Sequence, residues 1–261
     1  MKIELIKQDK NKLSFLMKGI SFNLANAMRR YADEVYVLAV DTVEIVSNDS
    51  SLFDEIFAHR IGLVPLIMDK TFTPKDECSC KGKGCLKCTA NLTLKAEGPC
   101  TVYSSDLKSK TIKPVYGDMP LVVLDKGQKI ALVAEARLGQ TKKHAKFSPG
   151  LIWYRAFPEI TIKDCNNPEI AEVCPQKVFE SDNGKLVVKN LAACDLCNAC
   201  VEECKRLGKG SITVKGSGSD FIFNIEGWGQ MPAKNIFLAI SEKLDEDLAK
   251  LSKEVNKIIK I

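Results

Sequence analysis

The sequence predicts an α+β protein in three parts, and three observations carry that prediction. Helical apolar periodicity is confined to stretches near the start and the end of the chain, Phe22–Ile61 and Pro232 onward. Short strands separated by turn residues fill the middle. Eight of the eleven cysteines fall in two clusters, one within Cys78–Cys88 and one within Cys194–Cys204.

Taken in order, Ile3–Ile6 and Leu13–Met17 alternate around the polar turn QDKNK and read as a hairpin. Ser21 is a good N-cap for a helix over Phe22–Tyr31, because its hydroxyl can accept from a free amide of the first turn. At about 100° per residue, Leu24, Ala25, Ala27, Met28 and Tyr31 share one arc. Asn23, Asn26, Arg29 and Arg30 share the opposite arc, and Phe22 stands out of place. Val35–Val46 reads as a strand buried on both sides. A second helix over Phe53–Ile61 is stopped by Gly62 and Pro65. Arg60 interrupts its apolar side of Phe53, Ile56, Phe57 and Ile61. A guanidinium there needs either an internal carboxylate, Asp41 or Glu44, or another chain.

From Thr71 to Thr89 the chain is polar and rich in cysteine. Strands follow at Asn91–Ala96, Thr101–Tyr103, Leu121–Leu124, Lys129–Ala136 and Phe157–Lys163. After the cysteine-rich segment 164–210 come strands at Ile212–Val214 and Asp220–Glu226, the latter with Phe221, Phe223 and Ile225 on one face. Pro232 opens a last helix. Phe237, Ile240, Leu244, Leu248, Leu251, Val255 and Ile258 form one stripe along it. A stripe of that length must be covered, by the chain's own sheet or by a partner.

A chain of 261 residues that is 45% hydrophobic can bury a substantial core. Its net charge of +5 is mild and mixed in sign, so no sequence-specific grip on DNA is expected. MKIELIKQDKNK lacks an apolar signal core, and no run approaches the ~18 apolar residues of a membrane span. A cytoplasmic protein without membrane contact is therefore expected. In that compartment clustered cysteines point to metal rather than to disulfides.

Cys78, Cys80, Cys85 and Cys88 form the pattern C-x-C-x4-C-x2-C. Four thiolates complete a tetrahedral Zn²⁺ site and leave no open position, so one structural zinc is expected. Gly82 and Gly84 let the loop bend, and Lys81, Lys83 and Lys87 offset the thiolate charge. The spacing is unusual and leaves an iron centre open. Cys194, Cys197, Cys200 and Cys204 form the C-x2-C-x2-C-x3-C run of bacterial-type ferredoxins, in which the fourth cysteine serves a second cluster. Cys174-Pro175 then supplies the fourth ligand to Cys194, Cys197 and Cys200. The positions where a second ligand set belongs hold Asp164, Asn167 and Ile170, so one [4Fe-4S] cluster is expected, with zinc at the same four cysteines as the alternative. Cys165 and Cys204 are left over where a second cluster would sit; oxidation would join them, and a reducing cytoplasm favours the dithiol. The two histidines, His59 and His144, have no catalytic partner at a recognisable spacing, and no catalytic residues are expected.

NAMRRYADEVYVLAVDTVEI, DEIFAHRIGLVPL and HAKFSPGLIWYRA together resemble the alpha-like platform subunits of cellular RNA polymerases, most closely the archaeal D members. The resemblance implies a discontinuous dimerisation domain from 1–46 plus 211–261, an inserted mostly-β domain over 47–163 with its zinc loop at 78–88, and a small ferredoxin-like domain over 164–210. It also implies a role: a non-catalytic subunit of DNA-directed RNA polymerase, a nucleotidyltransferase complex. Such a subunit pairs with subunit L, recruits the small subunits N and P, and docks the second-largest catalytic subunit. The alternative on residues alone is a ferredoxin-type electron-transfer or redox subunit. Against it, more than 200 residues carry no second cofactor motif.

Overall fold

Ser21 caps the first helix as its sequence predicts, its Oγ accepting from the Leu24 amide at 3.2 Å. Around that helix the computed structural model describes residues 1–67, 72–165, 167–182, 184–208 and 210–259. The expected start of the polar stretch at Thr71 lies outside the described residues. The elements run β1 (Lys2–Gln8), β2 (Lys12–Lys18), α1 (Phe22–Tyr31), β3 (Val37–Asn48), α2 (Asp54–Gly62), β4 (Thr89–Glu97) and β5 (Cys100–Tyr103). Then come β6 (Pro120–Leu124), β7 (Lys129–Gly139), β8 (Gly150–Lys163), α3 (Glu169–Val173), β9 (Phe179–Asp182), β10 (Lys185–Val188), α4 (Ala199–Leu207), β11 (Ser211–Gly227) and α5 (Ala233–Ile259).

The chain forms two units. The first comprises Met1–Ile6, Ser14–Asn26 and Trp153–Asn224. Its longer strands belong to a sheet in the order β1-β2-β11-β8, and β9 and β10 pair separately. Phe15 stacks on Phe223 with ring centroids 5.5 Å apart, and Tyr154 lies 5.4 Å from Phe223 and 5.6 Å from Phe221. Phe22, out of place on the helical wheel, has a role here: its ring meets Tyr154 edge-on at 6.0 Å. The two strands expected at Ile212–Val214 and Asp220–Glu226 are one strand, β11. Between those two segments Gly216 permits a close approach: a Cβ on it would stand 2.7 Å from Cβ of Ala156. The β9–β10 hairpin, in register from Phe179↔Val188 to Asp182↔Lys185, has no counterpart in the sequence reading.

The second unit comprises Lys7–Leu13, Ala27–Ile152 and Ile225–Ile261. Its sheet is β3-β7-β4, with β5 and β6 paired beside it. Two strands therefore sit in sheets that chain order did not indicate. β3 pairs with β7 rather than with the strands of the chain ends, and β8 belongs to the sheet with β11 rather than closing the insertion. The apolar pattern of a strand states that it is buried but not which edge it pairs with. β3 is buried on both sides only over Val37–Val40; beyond that it alternates.

Register shifts in β3 fall between Val40 and Thr42 and between Ile45 and Ser47, which leaves Asp41 on a bulge. Its carboxylate accepts from Arg137 Nε at 2.5 Å and from Lys146 Nζ at 3.0 Å. Burial alone would raise the Asp41 carboxyl; the hydrogen bonds from Arg137 and Lys146 outweigh it and hold the group below its ordinary value. Asp41 is thus not the partner of Arg60. Arg60 Nη2 donates instead to the Pro120 carbonyl at 2.8 Å. Phe57 and Ile61 turn into a core with Leu66, Leu92 and Leu132, whereas Phe53 and Ile56, assigned to the same apolar side, are exposed.

Pro232 starts α5, its carbonyl accepting from the Asn235 amide at 2.8 Å. The helix has 27 residues and is about 40 Å long at ~1.5 Å per residue. Only Ala233, Ile236 and Ile240 are buried. Leu251 is 60% exposed and Ile258 73% exposed.

Phe57→Ala is expected to destabilise the protein by about 3–5 kcal/mol, and Phe53→Ala by no more than ~0.5 kcal/mol, in urea unfolding. The stabilisation from Asp41 is complete above its unfolded-state pKa of about 4 and is lost as pH falls through its lower folded-state value. Asp41→Asn should accordingly flatten the acid side of a stability-against-pH curve.

Candidate metal centres

The first cysteine group is built by two tight turns that end where β4 begins. The Lys81 amide donates to the Cys78 carbonyl at 2.9 Å and the Lys83 amide to the Cys80 carbonyl at 3.2 Å. Lys81, Gly82 and Gly84 have positive φ, which reverses the chain between the cysteine pairs. The amides of Cys88 and Thr89 both donate to the Cys85 carbonyl at 2.9 Å. Cys88 is thereby held one residue before a strand paired along its length with β7. Lys75 Nζ ties the approach to this loop to Glu135 of β7 at 3.2 Å.

These turns bring together all four predicted ligands, with ligand atoms within 4.8 Å of one another. Sulfur separations are 3.5 Å for Cys78–Cys85, 3.6 Å for Cys80–Cys88 and 3.8 Å for Cys85–Cys88. A tetrahedral zinc with Zn–S bonds of about 2.3 Å requires edges of about 3.8 Å. The Cys85 amide also donates to Cys88 Sγ at 3.3 Å. The thiols perturb one another. Burial would raise Cys80, but hydrogen bonds led by that from Cys88 bring it down to about 7. Burial pushes Cys88 up to about 12. A cation at the centre removes this conflict, because every thiolate gains from it at once.

The second group draws on three separate segments. Cys174 follows α3, Cys194 follows the 3-10 turn Leu191–Ala193, and Cys200 lies in the first turn of α4. Cys197 sits on the loop between, where Leu196 and Asn198 both have positive φ and wrap the backbone round. Cys174, Cys194 and Cys200 are buried and Cys197 is exposed. Burial pushes the Cys200 thiol up to about 11, with charge on Cys174, Cys194 and Cys197 adding to the rise. The Val178 amide donates to Cys174 Sγ at 3.4 Å. Among the described residues only the first group meets the single-ion distance.

Cys165 and Cys204, expected as neighbours in dithiol form, are joined by a disulfide. Ile170, at one of the positions where a second ligand set would need a cysteine, is fully buried in the same core. Sequence reasoning missed Arg155, whose guanidinium donates to the carbonyls of Cys194 and Ala192. It also missed Asp195, which accepts from the Cys197 amide at 3.3 Å and from Gln176 at 3.3 Å. No local spacing marks Arg155, because its partners lie 37 and 39 residues further on. His59 and His144 are exposed, and His144 Nδ1 accepts from the Lys146 amide at 3.1 Å.

A family model described as the RNA polymerase Rpb3/RpoA insert domain matches residues 35–152. Those bounds take in β3 and stop at the start of β8, in agreement with the sheet pairing. The chain is 38% identical to DNA-directed RNA polymerase subunit Rpo3 of Archaeoglobus fulgidus, with 98% of this chain and 97% of that one covered. It is 38% identical to Rpo3 of Methanothermobacter thermautotrophicus over 91% and 92%, and 43% identical to Rpo3 of Pyrococcus horikoshii over 62% of each chain.

Purified protein is expected to hold one metal ion in the 78–88 loop. Cys85→Ser should abolish it, as read by elemental analysis, and leave the unfolding of the second unit's core nearly unchanged. Retention of that ion by the variant would overturn the ligand set.

Proposed function

This chain belongs to the family of DNA-directed RNA polymerase subunit Rpo3, and from that membership we propose the parts it plays in the enzyme. It is a non-catalytic assembly subunit of an archaeal nucleotidyltransferase complex. RNA synthesis belongs to the assembly, and this chain contributes surfaces. One observation carries the reading: α5 ends in an apolar stripe, Leu248, Leu251, Val255 and Ile258, that its own chain leaves exposed. A stripe of that length on a soluble assembly subunit is an interface awaiting a partner helix.

In this proposal α1 and α5 pair with subunit L, the small subunits N and P join the platform, and the second-largest catalytic subunit docks on it. The chain ends form the dimerisation domain, the middle an inserted mostly-β domain, and residues 164–210 a ferredoxin-like domain. The complex works in the cytoplasm. Among the described residues no helix is long and apolar enough to cross a membrane.

Two metal centres complete the proposal. Cys78, Cys80, Cys85 and Cys88 hold a structural zinc, supported by their near-tetrahedral sulfur spacing. Cys174, Cys194, Cys197 and Cys200 hold one [4Fe-4S] cluster. Bound there, the cluster cross-links three segments of a part of the chain that buries little core of its own. Arg155 holds the carbonyl of one ligand residue, and the Val178 amide donates to the sulfur of another.

Deleting residues 233–261 is expected to abolish co-purification of subunit L, and unchanged yield of L would refute the α5 interface. Anaerobic analysis should return one zinc and about four irons per chain. Close to eight irons would mean two clusters, and wild-type iron in Cys197→Ser would mean wrong ligands.

A further inference from the structure

α2 carries two stripes. Phe57 and Ile61, four residues apart, face the core. Phe53, Ile56, Arg60 and Leu63 follow one another at steps of three, four and three residues and so line up on a different face. Leu63 continues that line because its backbone stays helical past the end of α2. All four are exposed: Phe53 by 79%, Ile56 by 51% and Leu63 by 48%, with Arg60 among them.

Arg60 is aimed rather than neutralised. Its Nη2 donates to the Pro120 carbonyl at 2.8 Å, which fixes the guanidinium beside β6 but contributes no negative charge. Among the described residues it forms no ion pair with a carboxylate. The nearest acids on its own helix do not supply one. Asp54 accepts from Asn48 Nδ2 at 2.7 Å at the start of α2, and Glu55 lies on another arc. The surface thus offers an aromatic ring, two aliphatic side chains and one oriented, unmatched cation. Exposed aromatics with an arginine have the composition of an interface centre. A single cation on a helix that also carries Asp54 and Glu55 suits a polyanionic backbone poorly.

We infer that the stripe Phe53–Ile56–Arg60–Leu63 is a docking surface for an apolar segment of another protein that carries a carboxylate opposite Arg60. This deepens the assembly reading and rests on it. The carboxylate meets the guanidinium as apolar side chains on either side exclude water, so the ion pair forms in a screened setting where its loss is felt.

The test uses the complete polymerase reconstituted with full-length chain in which Ile56 is replaced by the photo-reactive benzoylphenylalanine. Cross-linking should capture one polymerase subunit, at a segment holding Asp or Glu among apolar residues. Arg60→Glu should weaken that subunit's binding roughly tenfold or more, with Arg60→Gln intermediate. Replacing the partner's carboxylate by Lys should restore binding to Arg60→Glu. Phe57 and Ile61 are untouched, so each variant should keep the wild-type unfolding midpoint. Cross-links to nucleic acid, to a second copy of this chain or to no protein would overturn the inference, as would unchanged affinity in Arg60→Glu. If the wild-type chain failed to enter a polymerase at all, the assembly reading itself would fall, which is a separate result.

Discussion

Pairing of β7 along both of its edges is the constraint on which the second unit depends. A strand with neighbours on both sides cannot shift by one residue without turning every side chain to the wrong face. Its register therefore fixes β4 on one edge and β3 on the other. β4 starts one residue after Cys88, so the last cysteine of the first candidate metal site is set by a strand and not by a loop. β3 carries the bulge at Asp41, and the short turn after it leads into α2. Both the metal loop and the exposed helical stripe thus inherit their positions from one ladder of hydrogen bonds.

The 164–210 part of the first unit solves a different problem. It has helices of only five and nine residues, a hairpin of two four-residue strands and few large apolar side chains. Its core cluster is half sulfur: Cys165, Cys174, Cys194, Cys200 and Cys204 sit with Ile170, Val178, Phe179, Leu186 and Ile212. Where apolar area is scarce, bonds between distant segments take over the task of holding the chain. The disulfide does this directly. Under the proposed function the four remaining thiols would do it through a bound cluster, while the Arg155 guanidinium pins the carbonyls of Ala192 and Cys194.

Several apolar faces remain outside both cores. The distal two-thirds of α5 and the outer stripe of α2 would each be a liability on a free monomer. In the proposed assembly they are the surfaces that partners cover, which would link the stability of this chain to the presence of those partners. The polar arc of α5 is stitched by Lys243–Asp247, Lys250–Asp247 and Lys257–Glu254 pairs. Such exposed pairs contribute little individually. They leave the opposite arc as the one with something to gain from burial.

The sequence by itself determined several features that depend on local chemistry. Ser21, the 3.6-residue spacing in α1 and α5, and the C-x-C-x4-C-x2-C pattern each act over a few residues, and each was legible. So were the four sulfurs of the first centre, because turns at Gly82 and Gly84 need no distant partner. Only the tertiary structure decided which sheet β3 and β8 join, since their apolar residues specify burial and not an edge. It decided that Gly216 sits inside a continuous strand, because the reason for that glycine is Ala156, 60 residues earlier in the chain. It gave Asp41 to Arg137 and Lys146 and left Arg60 with a carbonyl. Opposite charges are interchangeable in a sequence, and only their distances in space say which pair will form.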